Sequence, residues 1–365
     1  MNPLLKNLNK NDFCFKIINN IKPLSNQLFD KAKTKIDTKT KPLGALGRLE
    51  ELAIQLSLIQ NTLKPEIKQK NLFVFASDHG VVNQGVSAYP SEVTAQMVDN
   101  FLNKGAAINV FCRHHNINMK VIDIGVKQDF NPHPDLIIKK VGKGTKNFVN
   151  KNAMTKEQML LAIKNGIEIF LDAYNEKPID IVGLGEMGIG NTTSATAIIC
   201  AITGINPAKI AGRGTGIDNK GLKHKIKIIK KALDFHAPNS LDGFEILQKI
   251  GGFEIAGIAG AVLASAFKKC PVVLDGVISS AAGMLAYLIN PYVKGYLIAG
   301  HRSVEKAHTA TLDFLKLSPL IDFNMRLGEG TGAAIAIDMA DLSCKIMTQM
   351  ASFEKAKVSQ SSIKI

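Results

Sequence analysis

Residues 179–199 read I-D-I-V-G-L-G-E-M-G-I-G-N-T-T-S-A-T-A-I-I. Four residues of strand-like character (179–182) run into glycines at 183, 185, 188 and 190, and Asn191, Thr192 and Thr193 then open a small-residue apolar segment of helical character. The stretch is a strand, a turn and a helix start. Glycine has no Cβ, so such a turn lets backbone N–H groups approach a ligand closely, and the first helical turn adds unpaired donors at the positive end of the helix dipole. An anion, foremost a phosphate, suits this arrangement; a tight turn without a ligand is the plain alternative.

Gly183, Gly185 and Gly188 also stand in G-x-G-x-x-G register. A dinucleotide site adds an acidic residue about 20 positions on, to hold the ribose hydroxyls. No Asp or Glu lies between Glu186 and Asp218, and Glu186 would itself repel a pyrophosphate that it faced. A single phosphate near the helix start is the stronger reading.

Similar runs occur on either side. Residues 72–76 (L-F-V-F-A), 120–124 (K-V-I-D-I), 271–274 (P-V-V-L) and 296–299 (Y-L-I-A) are short and apolar, and each stops at Gly, Asp or Ser-Asp-His-Gly before a helical pattern. This alternation predicts a parallel, doubly wound α/β sheet, with ligands bound beyond the carboxyl ends of its strands. All five polar strand ends are expected on one rim. Before residue 65 only helical patterns occur, notably Leu46, Leu49, Leu52, Ala53, Leu56 and Ile59 at three- and four-residue spacing. A helical region is expected over 92–112 and a lysine-rich helix over 220–233. The segment 127–152, with Asn-Pro-His-Pro and Gly-Lys-Gly, reads as an irregular connection or hairpin, and the tail 359–365 as frayed.

Composition narrows the partners. The 365 residues are 46% apolar, enough for a sizeable core, yet the longest apolar runs (255–267 and 276–289) fall short of the roughly 18 residues of a membrane span. The first residues lack an uninterrupted apolar leader, so a cytoplasmic protein is expected. The five cysteines include no C-x-x-C pair and read as reduced core thiols; His114 and His115 are adjacent and point apart, which disfavours a metal site. The formal charge of +14 comes mainly from dispersed lysines, aromatics are only 6%, and no arginine-rich cluster exists. A bias toward anionic small molecules accounts for it without nucleic acid.

A second constellation, R-L-G-E-G-T-G-A-A (326–334), puts Glu329 between two glycines at the mouth of an Ala-rich helix. It could simply cap that helix, where negative charge is favourable. Alternatively, the glycines let a ligand approach on either side of a positioned acid or base.

The stretches K-P-L-G-A-L-G-R-L-E (41–50), S-D-H-G-V (77–81), G-V-S-A-Y-P (85–90), G-E-M-G-I-G-N-T-T (185–193), I-D-N-K (217–220), G-G-F-E (251–254), L-D-G (274–276), S-V-E-K (303–306) and R-L-G-E-G-T-G-A-A occur in this order. In them the chain resembles the nicotinate-nucleotide:dimethylbenzimidazole phosphoribosyltransferase family. The resemblance implies a homodimer, with a Rossmann-like parallel sheet flanked by helices and a small helical subdomain from the N- and C-terminal segments. The corresponding division is 1–65, 66–335 and 336–365. It also implies transfer of the phosphoribosyl group of nicotinate mononucleotide to 5,6-dimethylbenzimidazole or a related base, with inversion at C1′ and no metal or redox cofactor. Glu329 is then the general base, and Glu186, facing the cleft, is expected to orient the base or assist Glu329. The phosphate is expected at Gly188, Gly190, Asn191, Thr192 and Thr193, with Gly212, Gly214 and Lys220 closing on it. The base pocket falls in 87–97, at Ser87 or Tyr89 and at Gln96 or Met97.

Overall fold

The computed structural model describes residues 13–359. The readings of the leader stretch and of the frayed tail after Ser359 fall outside these residues. Six strands form one parallel sheet: β1 (Lys70–Ser77), β2 (Asn118–Gly125), β3 (Leu136–Ile138), β4 (Ile181–Met187), β5 (Val272–Leu274) and β6 (Leu297–Ala299). Their order is β3-β2-β1-β4-β5-β6. The chain winds outward from β1 to β3, returns, and winds outward the other way from β4 to β6. The reversal lies between β1 and β4, where a crevice opens beyond the carboxyl ends. The expected Rossmann-like α/β sheet is present.

Alternation along β1 sends Phe73 and Phe75 to one face and Leu72, Val74 and Ala76 to the other. The first face packs under Lys156–Glu176 and Phe253–Phe267, the second under Arg48–Ile59, Val93–Leu102, Ala107–His114 and Thr331–Gln349. A small third cluster joins Ala32 and Ile36 of helix Phe29–Asp37 to Ala53 and Met347, so helices from both ends of the chain pack together. The helical region expected over 92–112 is two helices, broken where Lys104 turns left-handed at φ +60 before Gly105. All five cysteines are buried. Among the described residues no helix is long and apolar enough to cross a membrane.

Two readings change. The segment 127–152 is not wholly irregular, because it carries β3 at the sheet edge, paired with Val121–Asp123 of β2. Only Leu136 of its three residues is buried, too little apolar pattern to stand out. More consequentially, β4 does not end at Val182 but continues through Gly183, Gly185 and Glu186 to Met187. A Cβ on Gly185 would lie 2.2 Å from the carbonyl oxygen of Glu329, and one on Gly183 would lie 3.1 Å from Ile337. These two glycines let the helix Thr331–Gln349 and the loop before it lie directly on the strand. Only Gly188 and Gly190 belong to the turn, where Gly190 precedes the helix Asn191–Thr203 at φ +94. The G-x-G-x-x-G register thus joins a packing requirement to a separate turn.

Candidate active site

A cleft of about 500 Å³ opens beyond the carboxyl ends of β4, β5 and β6. Glu186, Gly188, Asn191 and Thr192 form its floor, Glu329 and Gly328 one wall, and Tyr89, Met97 and Gly214 parts of the others.

Glu329 owes its position to backbone geometry. Gly328, Glu329 and Gly330 have φ values of +89, +63 and +98, three left-handed residues in succession. For a glutamate that conformation is strained. What holds it is Asp275, at the end of β5. Its carboxylate accepts N–H bonds from Gly330 (3.1 Å), Gly332 (2.7 Å) and Ala333 (3.1 Å), capping the helix Thr331–Gln349 from another element. Gly185 leaves the room beneath. The Glu329 carboxylate then accepts the Ile108 N–H at 3.2 Å. Burial raises its pKa above the usual carboxylate range, opposed by the Ile108 hydrogen bond and reinforced by the charge of Asp275. A raised pKa makes a stronger base.

Glu186, at the end of β4, is buried and accepts a short hydrogen bond from Asn191 Nδ2. Burial, then the negative charges of Asp275 and Glu254, push its carboxyl up to about 8 against the Asn191 bond; Glu329 adds further repulsion. Behind the turn, His79 and Glu254 share a 2.6 Å hydrogen bond with both side chains fully buried. The pair braces Gly188 and Gly190: Cβ atoms there would lie 3.4 Å from atoms of the His79 side chain.

The opposite corner is basic. Lys225 is 1% exposed, and its ammonium donates to Thr192 Oγ1 at 2.9 Å and to the Gly212 carbonyl at 3.3 Å. Burial lowers its pKa to about 8, opposed by the nearby Glu305. Glu305 in turn accepts the Gly214 N–H at 3.2 Å, and Arg326 donates to the Gly214 carbonyl. A buried cation, a hydroxyl and a helix start therefore converge at Thr192.

The structure sorts the remaining expected residues. Gly188, Asn191, Thr192 and Gly214 line the cleft, as do Tyr89 and Met97. Gly212 lines an adjoining hollow beside Glu305 and Arg326. Gly190 shapes the turn, and the Thr193 side chain is buried beneath the helix without lining the cleft. Ser87 Oγ lies 3.2 Å from Thr215 Oγ1, holding the loop that presents Tyr89, and Gln96 is exposed outside the cleft. Lys220 is exposed in the first turn of the helix Asn219–His236 and does not line the cleft; Lys225, on the same helix, is buried behind the cleft wall and touches it through Thr192 Oγ1. No three His, Cys, Asp or Glu side chains converge as a metal-binding group among the described residues.

The sequence model of the family described as "Phosphoribosyltransferase" matches residues 21–358. The chain belongs to that phosphoribosyltransferase family. A nicotinate-nucleotide--dimethylbenzimidazole phosphoribosyltransferase of Chloroflexus aggregans is 47% identical over 343 residues, covering 94% of this chain and 97% of the relative. The protein of the same name from Geobacter sp. (strain M21) is 47% identical over 338 residues, covering 93% and 97%. The crystal structure of CobT from Thermus thermophilus superposes with a TM-score of 0.88 at 40% identity, covering 92% of this chain and 100% of that one. This member of the family builds its cleft partly from groups to which sequence reasoning gave no role. Asp275 and Glu254 sat inside quoted motifs without an assigned task. Lys225 had a visible signal: it falls in register with Ile228, Ile229 and Ala232 on the buried face of its helix, an odd place for a lysine.

Proposed function

We propose that the protein moves the 5-phosphoribosyl group of nicotinate mononucleotide to 5,6-dimethylbenzimidazole or a related base, releasing nicotinate and α-ribazole 5′-phosphate. The azole nitrogen bonds to C1′ as the C1′–N bond to the pyridinium breaks. The bonding pair leaves with nicotinate, which needs no proton. The azole's ring N–H loses its proton to the Glu329 carboxylate. Attack from the face opposite the leaving group inverts C1′. One positioned base accounts for about 10² to 10⁴ in rate, and alignment of the two substrates for much of the remainder.

The observation that carries this reading is Glu329 itself, a strained carboxylate of raised pKa held at the cleft wall opposite a buried, phosphate-suited corner. Lys225, Thr192 and the start of the helix Asn191–Thr203 then receive the 5′-phosphate, while Tyr89, Met97 and Val93 offer an apolar wall to the base. Glu186, protonated at neutral pH, faces the reacting centre as a neutral hydrogen-bonding partner. We assign the reaction to the cytoplasm, in keeping with the burial of all five cysteine side chains. The homodimer reading is supported by exposed apolar side chains: Tyr89 and Leu327 at the cleft, 52% and 58% exposed, and Phe323, 62% exposed, on the segment leading to Glu329.

The test offers purified protein nicotinate mononucleotide with a panel of benzimidazoles, adenine and phenol, and follows nicotinate release. Release that depends on the added base, with an α-configured product, is expected; binding without release would reduce the protein to a nucleotide-binding module. Glu329→Gln should retain nucleotide binding and lose about 10²-fold or more in turnover. Near wild-type turnover in that variant would remove Glu329 as the base.

A further inference from the structure

A second cavity lies at the other end of the sheet. Residues 65–68, which lead into the amino end of β1, meet the second half of helix Thr331–Gln349 and part of helix Phe29–Asp37 around a hollow of about 880 Å³. Six lysines line it (Lys35, Lys39, Lys64, Lys68, Lys345 and Lys355) against two carboxylates, Glu66 and Asp341. Both carboxylates are engaged: Glu66 pairs with Lys68 at 2.7 Å, and Asp341 with Lys345 and Lys70 at 3.0 Å each. Among the described residues no ion pair reaches Lys35, Lys39, Lys64 or Lys355.

Two of these ammonium groups are fixed by carbonyls. Lys35 donates to the Leu63 carbonyl at 2.6 Å, and Lys39, only 5% exposed, to the Met350 carbonyl at 2.5 Å. The second bond has an ordinary explanation, since a cation suits the carboxyl end of a helix. Lys35 likewise stands in the last turn of its own helix, but neither helix end accounts for Lys64 and Lys355 around the same hollow. Burial first, then mutual repulsion, lowers the pKa of Lys35 (from Lys64 and Lys355) and of Lys39 (from Lys35 and Lys355), so the charges lie close enough to oppose one another. Each fixed ammonium uses one of its three N–H donors on its carbonyl and leaves two for an anion. The hollow has the volume of a small-molecule site. It is concave, which suits a compact ligand better than a membrane or a duplex.

We infer that this cavity is a second anion site, separate from the catalytic cleft, that takes a small polyanion of the diphosphate or triphosphate class. The helix Thr331–Gln349 runs about 15 Å from its start beside Glu329 to Asp341, its first residue at the cavity.

The experiment is calorimetric titration of the full chain with inorganic pyrophosphate at low ionic strength. Wild-type protein should show two saturable events. Lys225→Met removes the amine of the catalytic cleft and should leave one. The double reversal Lys64→Glu with Lys355→Glu changes two exposed lysines and should weaken the remaining event at least about tenfold, while base-dependent nicotinate release is retained. Lys64→Gln with Lys355→Gln should weaken it less. A single event abolished by Lys225→Met, an affinity unchanged in the double reversal, or only non-saturable uptake would each overturn the assignment. Loss of nicotinate release in wild-type protein with the lysine-dependent event intact would overturn the proposed reaction and leave this site standing.

Discussion

Burial and the neighbouring carboxylates push the Glu186 carboxyl up to about 8, and the stability of the protein should register it. Below the ordinary glutamate value of 4.5, folded and unfolded chains both hold the proton. As pH rises from there to about 8, the unfolded chain ionises while the folded one does not, so stability is lost across that window and levels off above it. Glu186→Gln removes the ionisation. It should raise the melting temperature at pH 8, by a stability gain on the order of a few kcal/mol, and leave it unchanged near pH 4. An equal shift at both pH values would mean that charge is not the cause. At the other corner, Lys225→Met should raise the KM for nicotinate mononucleotide by about tenfold or more, whereas Lys220→Ala should change it by less than about twofold. The reverse ranking would restore Lys220 to the phosphate. Lys220 is implied by the family resemblance, through the I-D-N-K stretch that follows the second glycine-rich loop. The helix that follows the loop turns a different lysine inward, and only its apolar register betrays that.

At the scale of elements, β4 and the helix Thr331–Gln349 act as one unit, with Gly185 as their contact. A Cβ 2.2 Å from the Glu329 carbonyl cannot be accommodated without moving the loop by roughly an ångström, a displacement that can cost about 10² in rate. Gly185→Ala should therefore fold, bind nucleotide and lose about 10²-fold in kcat. Gly183→Ala, with contacts of 3.1–3.3 Å to flexible or methyl groups, should lose far less. Comparable kcat losses in the two variants would dismiss the special role of Gly185. The same unit marks where sequence stops being informative. Five strands were legible because each is an apolar run ending in a polar or glycine signal, and Glu329 because a carboxylate between two glycines has little structural use. Gly183 and Gly185 looked like a loop because their reason, a backbone from far along the chain lying against them, is invisible in local sequence. β3 escaped because an edge strand of three residues has almost no buried pattern.

For the whole molecule, the apolar rim of the cleft is the feature that a monomer leaves unexplained. Phe323 and Leu327 lie on the segment leading to Glu329, and Leu327 and Tyr89 both line the cleft. If a second copy covers this rim, sedimentation equilibrium at micromolar concentration should give twice the chain mass. Phe323→Asp combined with Leu327→Asp should shift it to the single-chain value. A wild-type monomer at that concentration would end the dimer reading. Exposed patches of this kind mark interaction surfaces more often than solvent-facing accidents.

The capping of Thr331–Gln349 by Asp275 also has a consequence in time. During synthesis from the amino end, all six strands emerge before Glu329 does. The turn at Gly188, the Lys225 corner and the wall at Tyr89 all precede it. A nascent chain that has made all six strands therefore still lacks Glu329, the proposed base, and the helix that covers part of one face of its sheet. Only when the helix Thr331–Gln349 follows and docks over Gly185 can the Asp275 carboxylate meet its three N–H donors and hold Glu329 in place. In the proposed reaction, then, the base is the part of the site that the chain supplies last.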